Sequence, residues 1–151
     1  MNHLRPIPLN GHSEANPYRH VVEVQRIEEL IARHPQLSPP VIQGLLRERE
    51  IGNITASAKT NKSWLAGHAG LCVVTGLPFL GHFEVSRGKV LLCDNELHEE
   101  TLAHRIPTIA NAMGLTIDDY AEGFDVIALR GKLRSLQEMG AVFASIQKGE
   151  Y

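Results

Sequence analysis

The sequence predicts an α/β fold with a mainly parallel sheet flanked by helices, and three observations carry the prediction. Lys89-Val-Leu-Leu-Cys-Asp94 is an apolar run closing in an acid, the pattern of a strand buried on both faces in a parallel sheet. Residues 63–75 are rich in Leu, Ala, Val and Cys, with the small Ala66, Gly67, Ala69 and Gly70 inside, which lets a helix lie close on a sheet. Strand-like and helix-like segments then alternate to the end of the chain. At 151 residues the chain is one domain's worth and can bury a real core.

Residues 1–19 carry Pro6, Pro8, Asn10, Gly11, Asn16 and Pro17 with little periodicity, and read as a flexible leader. Residues 20–50 read as a helical N-terminal extension. In it Val24, Ile27, Leu30 and Ile31 form one stripe, Ser38-Pro39-Pro40 punctuates, and Arg47–Glu50 is a solvated charge run. Residues 51–151 form the main domain, opening with a short strand at Ile51–Thr55. Its first helix should run from Ser63 to Thr75, with Gly76 as C-cap and Pro78 as stop. Phe83–Val85 suits a short edge strand. A helix is expected from about Leu97 to Gly114, interrupted or kinked at Pro107. Thr116–Asp119 looks like the cap and first turn of a small helix. Phe124–Leu129 reads as a strand, and Lys132–Gln147 as a helix with Leu133, Leu136, Met139, Val142, Phe143 and Ile146 inward.

A formal charge of −2 gives no general attraction to nucleic acid, so any such binding must be local. Cys72 and Cys93 sit in apolar runs without metal spacing, and read as buried thiols of a reducing cytoplasm. No apolar run approaches the ~18 residues of a membrane span. The eight histidines show no metal-binding spacing.

The functional signal lies in Ile51-Gly-Asn-Ile-Thr-Ala-Ser-Ala-Lys-Thr-Asn-Lys-Ser-Trp64: strand, tight loop, then Lys-Ser at the head of a helix. A phosphate-binding loop needs that order, because loop N–H groups and the positive helix end cradle phosphate oxygens. Lys62 would reach the β- and γ-phosphates, and the Ser63 hydroxyl would ligate Mg²⁺. The pattern G-x-x-x-x-G-K-[ST] would put glycines at Ala56 and Asn61. Asn is the best substitute where positive φ is needed. Lys59 adds a second positive charge that either assists phosphate binding or is simply solvated. A Lys-Ser pair opening an ordinary helix is the plain alternative.

The second constellation is Asp94-Asn95-Glu96 at the end of a strand, where open α/β sheets place their ligand crevice. While the chain stays extended, the two carboxylates point to one side. Glu96 is the candidate to polarise a water for attack on the γ-phosphate, with Asp94 as a Mg²⁺ partner. Alternatively, both acids cap the next helix.

With both sites in hand, the chain resembles the RecA-like P-loop NTPases, and within them AAA-family ATPases similar to RepA-type replicative helicases. The resembling residues are Leu45–Glu50, Asn53–Leu65, Thr75–Gly81 and Gly88–Glu96, within a similarity covering about residues 38–151. The resemblance implies a three-layer RecA-like core. It implies ATP and Mg²⁺ held by Ser57, Ala58, Lys59, Thr60, Asn61, Lys62, Ser63 and Trp64, with Mg²⁺ on Ser63 and Glu96 as the catalytic glutamate. It further implies work on DNA by the full-length protein, and a homo-oligomeric ring whose neighbour supplies an arginine. The family places a Walker B strand soon after the last helix, and Lys148–Tyr151 looks like the approach to it. The expectation is an N-terminal fragment whose core is incomplete at the C-terminus. The alternative is a non-catalytic nucleotide-binding remnant or interaction module. A plain DNA-binding protein has little support, since no basic patch is present.

Overall fold

The computed structural model describes residues 24–132 together with residues 140, 143, 144, 146 and 151. Two compact units divide the chain, residues 1–37 and 38–151. In the first, α1 (Ile27–Arg33) has Glu28 and Glu29 in its first turn and Arg33 in its last, which suits the helix dipole. It buries none of its residues.

The second unit opens with a hairpin, not with more helix. Strands β1 (Pro40–Ile42) and β2 (Leu46–Arg47) pair antiparallel around Gly44, whose φ of 77° the turn requires. Pro40 and the β-branched Val41 and Ile42 disfavour helix here. The expected edge strand at Phe83–Val85 joins this hairpin: Val85 bridges Ile42, and the Ser86 N–H donates to the Val41 carbonyl at 2.9 Å. Ile42, Cys72 and Phe79 are buried together there.

The main body is a β-α-β unit on which a second helix lies. Strand β3 (Val90–Asp94) pairs parallel with β4 (Phe124–Ala128), Val90 opposite Phe124 and Asp94 opposite Ala128. Between them run α3 (Glu99–Ala112) and a 3₁₀ turn, Ile117–Asp119, closed by a reciprocal Thr116–Asp119 cap. Hydrogen bonds from the Thr116 N–H and hydroxyl hold the Asp119 carboxyl below its usual range. Pro107 sits inside α3 without ending it. The carbonyl it leaves unserved, that of Ala103, is on an exposed residue that water can reach.

Helix α2 (Lys62–Thr75) lies over this unit. Leu71 and Val74 from α2 meet Ile106, Ile109 and Ala110 of α3, plus Tyr120 and Phe124. Gly76, at φ 77°, closes α2 by donating to the Cys72 carbonyl, while Arg87 Nε takes the Val74 carbonyl at 2.9 Å. The approach is close. A Cβ on Gly70 would fall 2.8 Å from the Phe124 ring, and one on Gly67 2.8 Å from Ile109 Cδ1.

Four expectations need correction or limits. Ile51–Thr55 is not a strand: it runs as exposed chain, Ile51 being 92% and Ile54 50% accessible. A strand must pair its N–H and C=O groups, and the parallel strands among the described residues pair only each other. Strand β3 is half-buried along its whole length instead of fully buried, with Val90 and Leu92 packed against the helical core. In β4, Asp125 accepts a 2.6 Å hydrogen bond from the Tyr151 hydroxyl. The described parallel sheet has two strands, which is compatible with an α/β P-loop fold, and it does not display three layers. The leader at 1–19 and most of the helix expected over Lys132–Gln147 lie outside the described residues, and Lys132 itself is in a turn.

Cys72 and Cys93 are free thiols, and burial pushes both above the usual thiol range. Among the described residues no helix is long and apolar enough to cross a membrane.

The glycine contact gives a direct test. Gly70→Leu should lower stability by about 1–3 kcal/mol, read as a lower urea midpoint, since the Phe124 ring cannot move aside cheaply. An unchanged midpoint would show that the helix does not sit this close.

Candidate functional site

The loop entering α2 is shaped by two left-handed residues. Lys59 has φ 63°, and Asn61, directly before the helix, has φ 61° and ψ 26°. Asn61 therefore does what a glycine would do there, as its residue type suggested. Its carbonyl accepts from the Trp64 and Leu65 N–H groups at 3.1 Å. Thr60 Oγ1 donates to the Ser57 carbonyl at 2.7 Å and ties the loop across itself. Ser57, Ala58, Lys59 and Thr60 are all exposed.

Lys62 is half-buried and folds back over the loop. Its ammonium donates to the carbonyls of Ala56 at 2.9 Å and Ser57 at 2.8 Å. The first turn of α2 holds no acid, and no side chain caps it. The positive helix end, its unserved N–H groups and the Lys62 ammonium thus lie at the same stretch of loop. That set suits an anion.

Ser63 is exposed, and its Oγ accepts a 2.6 Å hydrogen bond from Arg105 Nη1. The Arg105 guanidinium also lies 5.0 Å from the centre of the Trp64 ring. Sequence reasoning missed Arg105. It sits six residues into α3, about 9 Å along the axis, with no local motif to mark it.

Asp94 and Glu96 part company. The chain stops being extended at Asp94, so the argument that their carboxylates share one side does not hold. Asp94 Oδ1 accepts from the Glu96 N–H at 2.8 Å and the Leu97 N–H at 2.7 Å. It holds the bend leading to α3, close to the capping alternative. Glu96 is exposed, and its carbonyl is gripped by Arg130 Nη1 at 2.7 Å. No hydrogen bond joins Glu96 to the Lys62 loop.

Beside Glu96, at the C-terminal ends of β3 and β4, is a cleft lined by Leu97, His98, Glu99, Glu100, Ala128, Arg130 and Lys132. Lys132 pairs with Glu99 at 2.5 Å. That hydrogen bond, with the charge behind it, holds the Glu99 carboxyl below its usual range. Arg130 and Lys132 were also missed, although Leu129-Arg-Gly-Lys132 directly follows a strand end.

A protein-family model described as an AAA domain matches residues 17–148. The match spans most of the chain, which therefore belongs to this family of P-loop NTPases, nucleotide-binding proteins of ATPase type. The curated proteins and the solved structures give no match.

The left-handed Asn61 is testable by substitution. Asn61→Gly should leave stability within about 1 kcal/mol of the parent, while Asn61→Val should cost about 1–2 kcal/mol. Equal denaturation midpoints for the two variants would contradict the loop conformation.

Proposed function

We propose that this AAA-domain chain binds the phosphates of ATP on residues 57–64 and takes part in Mg²⁺-dependent ATP hydrolysis. The supporting observation is the Lys62 ammonium, folded onto the Ala56 and Ser57 carbonyls at the head of α2. Phosphate oxygens can replace those carbonyls as its acceptors while the α2 N–H groups serve the remaining charge.

The donor set also fits Mg²⁺, a hard cation that takes oxygen ligands. The Ser63 hydroxyl would hold it together with phosphate oxygens, and the ion would neutralise charge on the phosphates. Asp94 already serves two N–H groups through one oxygen, so its role is to shape the bend. Glu96, with an exposed carboxylate at the strand end, is the proposed base. It takes a proton from a water whose oxygen bonds to the γ-phosphorus as the β,γ-bridging bond breaks and ADP leaves.

The finer reading is a RepA-like ATPase that acts on DNA as a ring of identical subunits, with a neighbour's arginine reaching the γ-phosphate. It rests on the resemblance of Asn53–Leu65 and Gly88–Glu96 to that branch. The free thiols suit the cytoplasm.

A nucleotide-binding module without chemistry is the second reading. Two observations favour it: Ile51–Thr55 is unpaired with the sheet, and Arg105 engages Ser63 Oγ where a metal would bind.

A fluorescent ATP analogue with Mg²⁺ tests the first claim. Lys62→Ala should weaken binding about tenfold or more, the worth of charge-assisted hydrogen bonds to phosphate. Phosphate release separates the two readings: Glu96→Gln should keep binding and lose turnover. A folded chain that binds no nucleotide would overturn both.

A further inference from the structure

We infer that Arg105 is a second phosphate-binding cation of the site, resting on Ser63 and Trp64 until nucleotide enters. The inference deepens the reading of residues 57–64 as a phosphate cradle and rests on it.

Three features of Arg105 point to a missing anion. The residue is half-buried, and its Nε is buried without a hydrogen-bond partner. Among the described residues no carboxylate answers its charge, the ion pair there being Lys132–Glu99. Its hydrogen-bond partner is instead a neutral hydroxyl, Ser63 Oγ at 2.6 Å, beside a contact with the Trp64 ring. A guanidinium partly withdrawn from water without a counter-ion is unfavourable, and its planar fork matches phosphate oxygens. The residue it touches adjoins Lys62, whose ammonium lies over the loop mouth.

The same contact makes an exchange necessary. A Mg²⁺ ion on Ser63 Oγ would stand about 2.1 Å from an oxygen that now accepts from a cation. Two cations cannot share it, since at such separations their repulsion is severe in a partly desolvated site. Metal binding would therefore displace the guanidinium, and the phosphates that accompany the metal would offer it anionic acceptors in place of the hydroxyl. The movement carries Arg105 off Trp64, the one tryptophan of the chain.

The full chain should be titrated with Mg²⁺ and a non-hydrolysable ATP analogue. Affinity is read by equilibrium dialysis and Arg105 movement by tryptophan emission. Arg105→Ala should weaken binding about tenfold or more and lose the nucleotide-induced change in emission, while Arg105→Lys should retain part of the affinity. Arg105→Gln, which can still donate to Ser63, should bind as poorly as Arg105→Ala while keeping the parent's circular dichroism. Parental or tighter binding by folded Arg105→Ala would overturn the inference, tighter binding marking the arginine as an obstruction. If the parent binds, Lys62→Ala does not and Arg105→Ala matches the parent, the cradle stands and this inference alone falls. If the parent itself does not bind, both fall.

Discussion

Helix α2 lies against the β3–β4 sheet at a distance only glycine allows, with Gly70 over the Phe124 ring and Gly67 against Ile106 and Ile109. A glycine inside a helix costs about 0.5–1 kcal/mol relative to alanine, so two within four residues must be offset by packing. The return is visible in Leu71 and Cys72, both fully buried on this helix. Because α2 is held so firmly by its middle, its first turn is fixed relative to α3. That relation brings Ser63 to Arg105 across two separate elements.

The candidate site is therefore an electrostatic feature built on a packing feature. Lys62 and Arg105, with the positive end of α2, come together where the described side chains supply no acid. The site compensates internally, Lys62 by using loop carbonyls and Arg105 by using a hydroxyl and an aromatic face. Neutral acceptors satisfy hydrogen-bond geometry and leave the charge unanswered. A polyanionic ligand answers it. At the C-terminal ends of β3 and β4, Lys132 and Arg130 are each already engaged, one by the Glu99 carboxylate and one by the Glu96 carbonyl.

Local chemistry was legible in the sequence, and pairing was not. The α2 boundaries, its Gly76 cap, the Thr116–Asp119 turn and strands β3 and β4 all follow from periodicity and capping residues. Asn61 could be read as a left-handed substitute because its side chain limits what the backbone will adopt. Ile51–Thr55 looks like a strand by residue type, yet a strand exists only through its partner, and partners are not written in local pattern. The hairpin at Pro40–Arg47 escaped notice because two- and three-residue strands are too short to show alternation. Asp94 and Glu96 shared a side only if the chain stayed extended, and Asp94 bends the chain by accepting two backbone N–H groups. Arg105 had no signal, since its meaning comes from Ser63, distant in sequence and adjacent in space.

The central claim is that the Lys62 loop, rather than another surface, receives phosphate. Backbone amide chemical shifts recorded during titration with Mg²⁺ and ADP test it most directly. The account predicts that the largest shifts cluster at Ser57 through Trp64. Shifts concentrated around His98, Arg130 and Lys132, with the loop unmoved, would contradict it.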